Sequence, residues 1–152
     1  MSLNRLMMGK NPSSSGGGGT TGDNEILLTV GELSYQYGYS RYNGSNYGDI
    51  QGDLYCDGKL VTLGMLVVNY GWLDLLFTVE GVNSGSYSNV VVQATDESSG
   101  LSSSVTFSKI SYQGYMSGFY ESANTIPAEF IKLFAKVNVG KTYRVKITFN
   151  KE

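Results

Sequence analysis

The chain contains no histidine and only one cysteine among its 152 residues. The first absence removes the commonest general base, the histidine-dependent catalytic triads and every imidazole metal ligand. The second removes intrachain disulfides and thiolate zinc sites, and without a histidine partner it also removes Cys–His nucleophilic catalysis. Cys56, within Leu54-Tyr55-Cys56-Asp57-Gly58, is expected to be a buried small apolar residue. Charge is scarce as well. Charged residues make up 16% of the chain, against the usual quarter, and the net charge is −2. The cations are dispersed except for Lys141, Arg144, Lys146 and Lys151, which read as one solvated strand face, so no nucleic-acid footprint is expected.

No apolar run approaches the roughly 20 residues that a membrane span requires. Leu6-Met7-Met8 is too short for a secretory signal, and Gly9-Lys10-Asn11-Pro12 interrupts it. The glycines of Ser15-Gly16-Gly17-Gly18-Gly19 lack the preceding strand and following lysine of a phosphate loop. No cofactor, metal, nucleic-acid or membrane partner is expected.

What replaces the missing charge is glycine, with 20 residues, and tyrosine, with 12. Together with valine, threonine and serine they favour strands and turns over helices. The chain divides in two at residue 24. Residues 1–24 form an extended N-terminal arm: a mixed decapeptide, then Ser13 to Gly22, a glycine-serine linker that can bury nothing. Ten such residues span roughly 17 Å. A linker implies something to tether, and the decapeptide supplies apolar anchors in Leu3, Leu6, Met7 and Met8, with Arg5 and Lys10 for polar contacts. These six are the expected attachment residues.

Residues 25–152 read as one β domain. Glu25 to Val30 is an expected strand closed by Gly31. Ile50 to Cys56 and Lys59 to Leu63 flank Asp57-Gly58, a type I′ hairpin signal. Further strands are expected over Met65 to Asn69, Leu73 to Glu80, Asn89 to Thr95, Leu101 to Phe107 and Ile110 to Met116. Lys141 to Phe149 alternates cleanly, with Tyr143, Val145, Ile147 and Phe149 on one face. Pro127 to Phe134 suits either a short helix, with Pro127 in its first turn, or a strand leading into Ala135 to Val139. Glycine turns at this spacing predict a mostly-β antiparallel sandwich with one short helix at most.

Val137-Asn138-Val139-Gly140-Lys141-Thr142-Tyr143 resembles the tyrosine corner of immunoglobulin-like and fibronectin type III sandwiches. The resemblance implies a Tyr143 hydroxyl bonded to backbone a few residues upstream, pinning a turn between two sheets. In those folds another strand follows, whereas here the sequence runs only to Glu152, so the topology is expected to differ from theirs. The layout as a whole, Leu-Asn-Arg-Leu-Met-Met-Gly followed by a glycine tract and a small β domain, resembles tailed-bacteriophage virion accessory proteins. That resemblance implies a non-enzymatic structural protein at the virion surface, a decoration or appendage of head, neck or tail. Its partners would be other virion proteins, and it would act as a homo-oligomer.

The remaining chemistry is carboxylate or aromatic. Asp49, Asp53 and Asp57 recur every fourth residue, but a glycine-broken β region does not align them into a calcium loop. They and Asp96-Glu97 read as turn caps and solvated groups, and a carboxylate glycosidase is the weakest reading. Tyr35, Tyr37, Tyr39, Tyr42 and Tyr47 lie among glycine, serine and asparagine, the chemistry of antibody paratopes. They read either as a ligand-binding loop for a cell-surface glycan or receptor, or as alternating tyrosines covering a sheet edge. Trp72 is expected as a core or inter-sheet anchor.

Overall fold

A computed structural model describes residues 24–31, 34–35, 42–43, 47–68, 73–123 and 125–151. The expected attachment residues Leu3, Arg5, Leu6, Met7, Met8 and Lys10 lie outside the described residues, as do Tyr37, Tyr39 and Trp72. The mostly-β antiparallel expectation holds. The strands are β1 (Glu25–Val30), β2 (Ser34–Tyr35), β3 (Tyr42–Asn43), β4 (Tyr47–Gln51), β5 (Leu54–Cys56), β6 (Lys59–Val68), β7 (Leu73–Val79), β8 (Ser86–Asp96), β9 (Leu101–Gln113), β10 (Gly118–Ala123) and β11 (Thr142–Lys151).

Nine of these form one sheet in the order β4-β1-β11-β8-β9-β10-β7-β6-β5, and every neighbouring pair is antiparallel. The nine strands form one continuous sheet, and two separate sandwich layers are not resolved within it. That sheet must curl. Laid flat, nine strands would measure roughly 38 Å across, at about 4.8 Å per gap. Yet its two edge strands, β4 and β5, are consecutive in the chain and joined by Gly52-Asp53 alone. Three virtual bonds reach about 11 Å at most. The edges therefore meet at that corner, where Gly52 adopts φ 101°. Asn24 ties the seam from the other side: its Oδ1 accepts from the Tyr55 amide of β5 at 2.9 Å, and its carbonyl accepts from the Ile147 amide at 3.0 Å.

Alternation decides what the curl encloses. Ile26, Leu28 and Val30 of β1, Leu73, Leu75, Phe77 and Val79 of β7, and Tyr143, Val145 and Ile147 of β11 are all buried in one core. Where glycine or a left-handed residue adds an extra position, the pattern shifts. Gly64 does this in β6, so Leu63 lies opposite Phe77 and Met65 opposite Leu76, and the strand continues to Val68 where the sequence suggests two. Asp57 and Gly58 both have positive φ, at 52° and 76°, as a type I′ turn requires. Ile50 to Cys56, expected as one strand, breaks at Gly52 into the two sheet edges.

Two aromatic groups fill the interior. Phe77 stacks on Phe119 at 5.3 Å and meets Phe149 edge-on at 5.1 Å, while Tyr87 and Tyr112 pack edge-on against Phe119. The second group belongs to the helix α1 (Ala128–Leu133), which settles the open reading of Pro127 to Phe134. Its buried Phe130 and Leu133, with Phe134 beyond them, join the core, and Phe134 meets the Tyr143 ring at 5.9 Å. Cys56 is buried as expected, against Tyr87, whose phenol is pushed up to about 12 by burial first and the neighbouring thiol second.

Candidate functional site

The registers give the sheet two distinct ends. β1 starts beside Lys146 and finishes beside Thr142, so the arm enters at one end and Val30 lies at the other, roughly 17 Å away at about 3.4 Å per residue. Following the ladder, Thr142, Asp96, Leu101, Ala123, Leu73, Val68 and Tyr47 all lie at the far end. Asp57-Gly58, the turn at Gly81 and the 3-10 turn Gly114–Met116 lie at the arm end.

The tyrosine-rich segment is an excursion from the far end. It leaves β1 after Val30 and returns at Tyr47, which is opposite Val30 in the β1–β4 ladder. Within it β2 and β3 form a two-stranded sheet of their own, with Tyr35 directly opposite Tyr42 and Ser34 opposite Asn43. So the backbone pairs Tyr35 with Tyr42 in a sheet separate from the nine-stranded one, while Tyr47 pairs with Val30. β2 and β3 pair with each other and with neither edge of the nine-stranded sheet.

The far rim also carries the tyrosine corner in a modified form. Tyr143 Oη donates to the Leu133 carbonyl at 2.6 Å, ten residues upstream. The turn glycine is where the motif requires it, with Gly140 at φ 95°. What the bond pins is the end of α1 against the sheet, not a turn between two sheets. Asn138 Nδ2 donates to the Lys132 carbonyl at 2.8 Å and to the Leu133 carbonyl at 3.4 Å, so side chains satisfy the helix's last carbonyls. Burial pushes the Tyr143 phenol up to about 12, with the Asp96 charge adding to it. Val137, the apolar position of the motif, is 85% exposed on the rim, with Val139 exposed beside it.

On the convex face beside this rim, β1, β11 and the β8–β9 turn surround a shallow groove of about 320 Å³. Its lining is Leu27, Asp96, Glu97, Ser98, Lys141, Thr142 and Arg144. Leu27 and Arg144 are register partners that face outward because Ile26, Leu28, Tyr143 and Val145 face the core. Asp96 is buried and accepts from the Ser98 hydroxyl at 2.7 Å, the Ser98 amide at 3.1 Å and the Ser99 hydroxyl at 2.9 Å. Its own carbonyl receives the Gly100 amide, closing the turn. The Ser98 and Ser99 hydrogen bonds outweigh desolvation and hold the carboxyl below its ordinary value, with Lys141 Nζ at 3.7 Å a minor addition. The turn-capping expectation for Asp96 is met. Glu97 forms an ion pair with Arg144 across the groove.

Sequence reasoning did not single out a second polar group on the convex face. Asp74 of β7 accepts from Ser122 Oγ at 2.6 Å, and Tyr120 also bonds to it. Desolvation wins over both bonds and raises its carboxyl above the ordinary value. A carboxyl raised on folding stabilises the fold only while protonated, and that contribution is lost as pH rises through the folded value. Asp74→Asn is therefore expected to flatten the decline in stability from about pH 4 towards neutrality, changing stability at pH 4 by less than about 1 kcal/mol. Urea midpoints measured across that range test it; an unchanged slope would contradict the assignment.

Among the described residues no cluster of three or more carboxylate or thiol groups could hold a metal ion. The described helix is also too short to cross a membrane. Asp53 and Asp57 sit exposed at separate turns near the arm end. Comparison with protein-family models, with curated proteins and with solved structures finds no match for this chain.

Proposed function

We propose that the protein is a non-enzymatic attachment module, tethered by its N-terminal arm and presenting the far rim to a second partner. The observation that carries this reading is the polarity of β1. The arm joins its first residue at a seam fixed by two Asn24 hydrogen bonds, and the tyrosine-rich excursion leaves from its last. An anchor at one end and a paratope-like hairpin at the other make a stalked adapter. The setting is a virion surface of the tailed-bacteriophage kind, where Leu3, Arg5, Leu6, Met7, Met8 and Lys10 dock on a structural protein of the particle. Homo-oligomeric copies would add avidity, since several weak arms acting together hold far better than one. In this reading the tyrosines at 35, 37, 39, 42 and 47 are the contact residues for a cell-surface glycan or receptor.

Limited trypsin digestion of the isolated chain tests the tether. Cleavage after Arg5 and Lys10 within minutes, leaving a resistant fragment that contains residues 25–152, is the expected result. An arm protected as long as the sheet would mean that it packs on its own fold, and the attachment reading would fail.

A further inference from the structure

We propose that the convex groove between β1, β11 and the β8–β9 turn is a subsite for a neutral saccharide. The inference deepens the presenting half of the function proposed above and is independent of the attaching half.

The groove's chemistry selects the ligand class. Its charges cancel internally, because Arg144 is paired with Glu97 and Lys141 lies 3.7 Å from Asp96. Two anions and two cations leave no net charge to attract an ion, which disfavours both metal and phosphate. The pairs nevertheless leave directed hydrogen-bonding capacity. A guanidinium has five N–H donors and the Glu97 ion pair occupies only part of them, while the Glu97 carboxylate retains free lone pairs. Arg144 and Glu97 remain 39% and 62% exposed, so a ligand reaches both. Vicinal hydroxyls, which donate and accept at once, match a guanidinium and a carboxylate lying side by side.

Shape and position agree. Leu27, 40% exposed, supplies an apolar floor against which the C–H face of a pyranose ring can lie. A volume of about 320 Å³ lies at the small end of ligand sites and suits one or two sugar rings. Thr142 shares a hydroxyl–hydroxyl hydrogen bond with Thr29 at 3.0 Å, extending the polar rim towards β4. A peptide added as a strand is excluded here, because β1 is already paired on both sides, by β4 and β11.

Saturation-transfer NMR on the full chain tests this, with maltose, cellobiose, lactose and chitobiose as neutral probes and sialyllactose as the acidic comparison. At least one neutral disaccharide is expected to bind in the millimolar range, more tightly than sialyllactose. Arg144→Leu is expected to weaken that binding about tenfold or more, the loss typical of a hydrogen bond to a charged group. Leu27→Trp should tighten it several-fold by widening the stacking floor, and this gain keeps the test decisive if the first variant folds poorly. Binding that is lost in Tyr39→Ala with Tyr42→Ala but is indifferent to both groove variants would overturn the groove and leave the hairpin reading standing. No binding of any neutral probe, or a preference for sialyllactose, would also overturn it, without bearing on the arm.

Discussion

Phe77→Ala is expected to lower the unfolding free energy by about 3–5 kcal/mol, the usual cost of deleting a fully buried phenylalanine. The site gives little room for relaxation. Phe77 is 1% exposed and touches three rings, with centroids 5.3 Å away at Phe119, 5.1 Å at Phe149 and 6.1 Å at Tyr87. Those rings come from β10, β11 and β8, so the deletion would loosen contacts across the inside of the curl, not along one ladder. Gly118 of β10 already lies close against β7, where a Cβ would meet the Phe77 carbonyl at 2.9 Å. Against a total stability of about 5–15 kcal/mol, a loss of this size removes a large part of the margin. Urea unfolding followed by intrinsic fluorescence reads it directly. A loss under about 1 kcal/mol would mean that the aromatic group does not hold the curl together.

Tyr143→Phe is expected to cost about 1–3 kcal/mol although it removes a single oxygen. The ring is 1% exposed, so its apolar contacts survive the change. What is lost is the 2.6 Å bond to the Leu133 carbonyl, leaving that acceptor with the long 3.4 Å contact from Asn138. An acceptor left short of a partner in the interior costs more than a bond exchanged with water. The effect should be local as well as global. Amide exchange in α1 is expected to accelerate more than in β8 or β9, because α1 has six residues and depends on its packing and its capped carbonyls. Uniform acceleration throughout the domain would show that Tyr143 acts through the core alone.

The individual elements were more legible than their arrangement. The 57–58 turn is dictated by Asp-Gly, and the face of β11 by strict alternation from Tyr143 to Phe149, because both depend on residues a few positions apart. Gly140 and Tyr143 make the tyrosine corner visible, but the Tyr143 hydroxyl bonds ten residues upstream at the end of α1, not within the adjoining turn. Its acceptor could not be read, since the carbonyl belongs to a helix whose own existence was balanced against a strand. The mostly-β antiparallel fold was legible, whereas the joining of both edges of one sheet through Gly52-Asp53 was not. Two residues between apolar stretches look like an irregularity within one strand, and only the pairing of β5 with β6 and β4 with β1 turns them into the seam of a closed curl. The convex groove was invisible for the same reason. Leu27 and Arg144 are 117 positions apart, and what joins them is the β1–β11 register. Asp96 and Glu97 were noticed as a turn, which Asp96 serves, while the partnership of Glu97 with Arg144 required the neighbouring strand to be known.

The central claim is that attachment resides in the arm and presentation at the opposite end of β1. Under the proposed function, co-sedimentation of the 152-residue chain with the tailed-phage particles it is proposed to decorate separates the two most directly. A chain carrying Leu3→Asp, Leu6→Asp and Met7→Asp together is expected to lose at least about tenfold in particle binding, since buried apolar anchors dominate such contacts. Tyr39→Ala with Tyr42→Ala should leave particle binding unchanged. Arm-substituted chains that still sediment with the particles, or tyrosine variants that do not, would contradict the account and place the attachment surface on the sheet or its far rim.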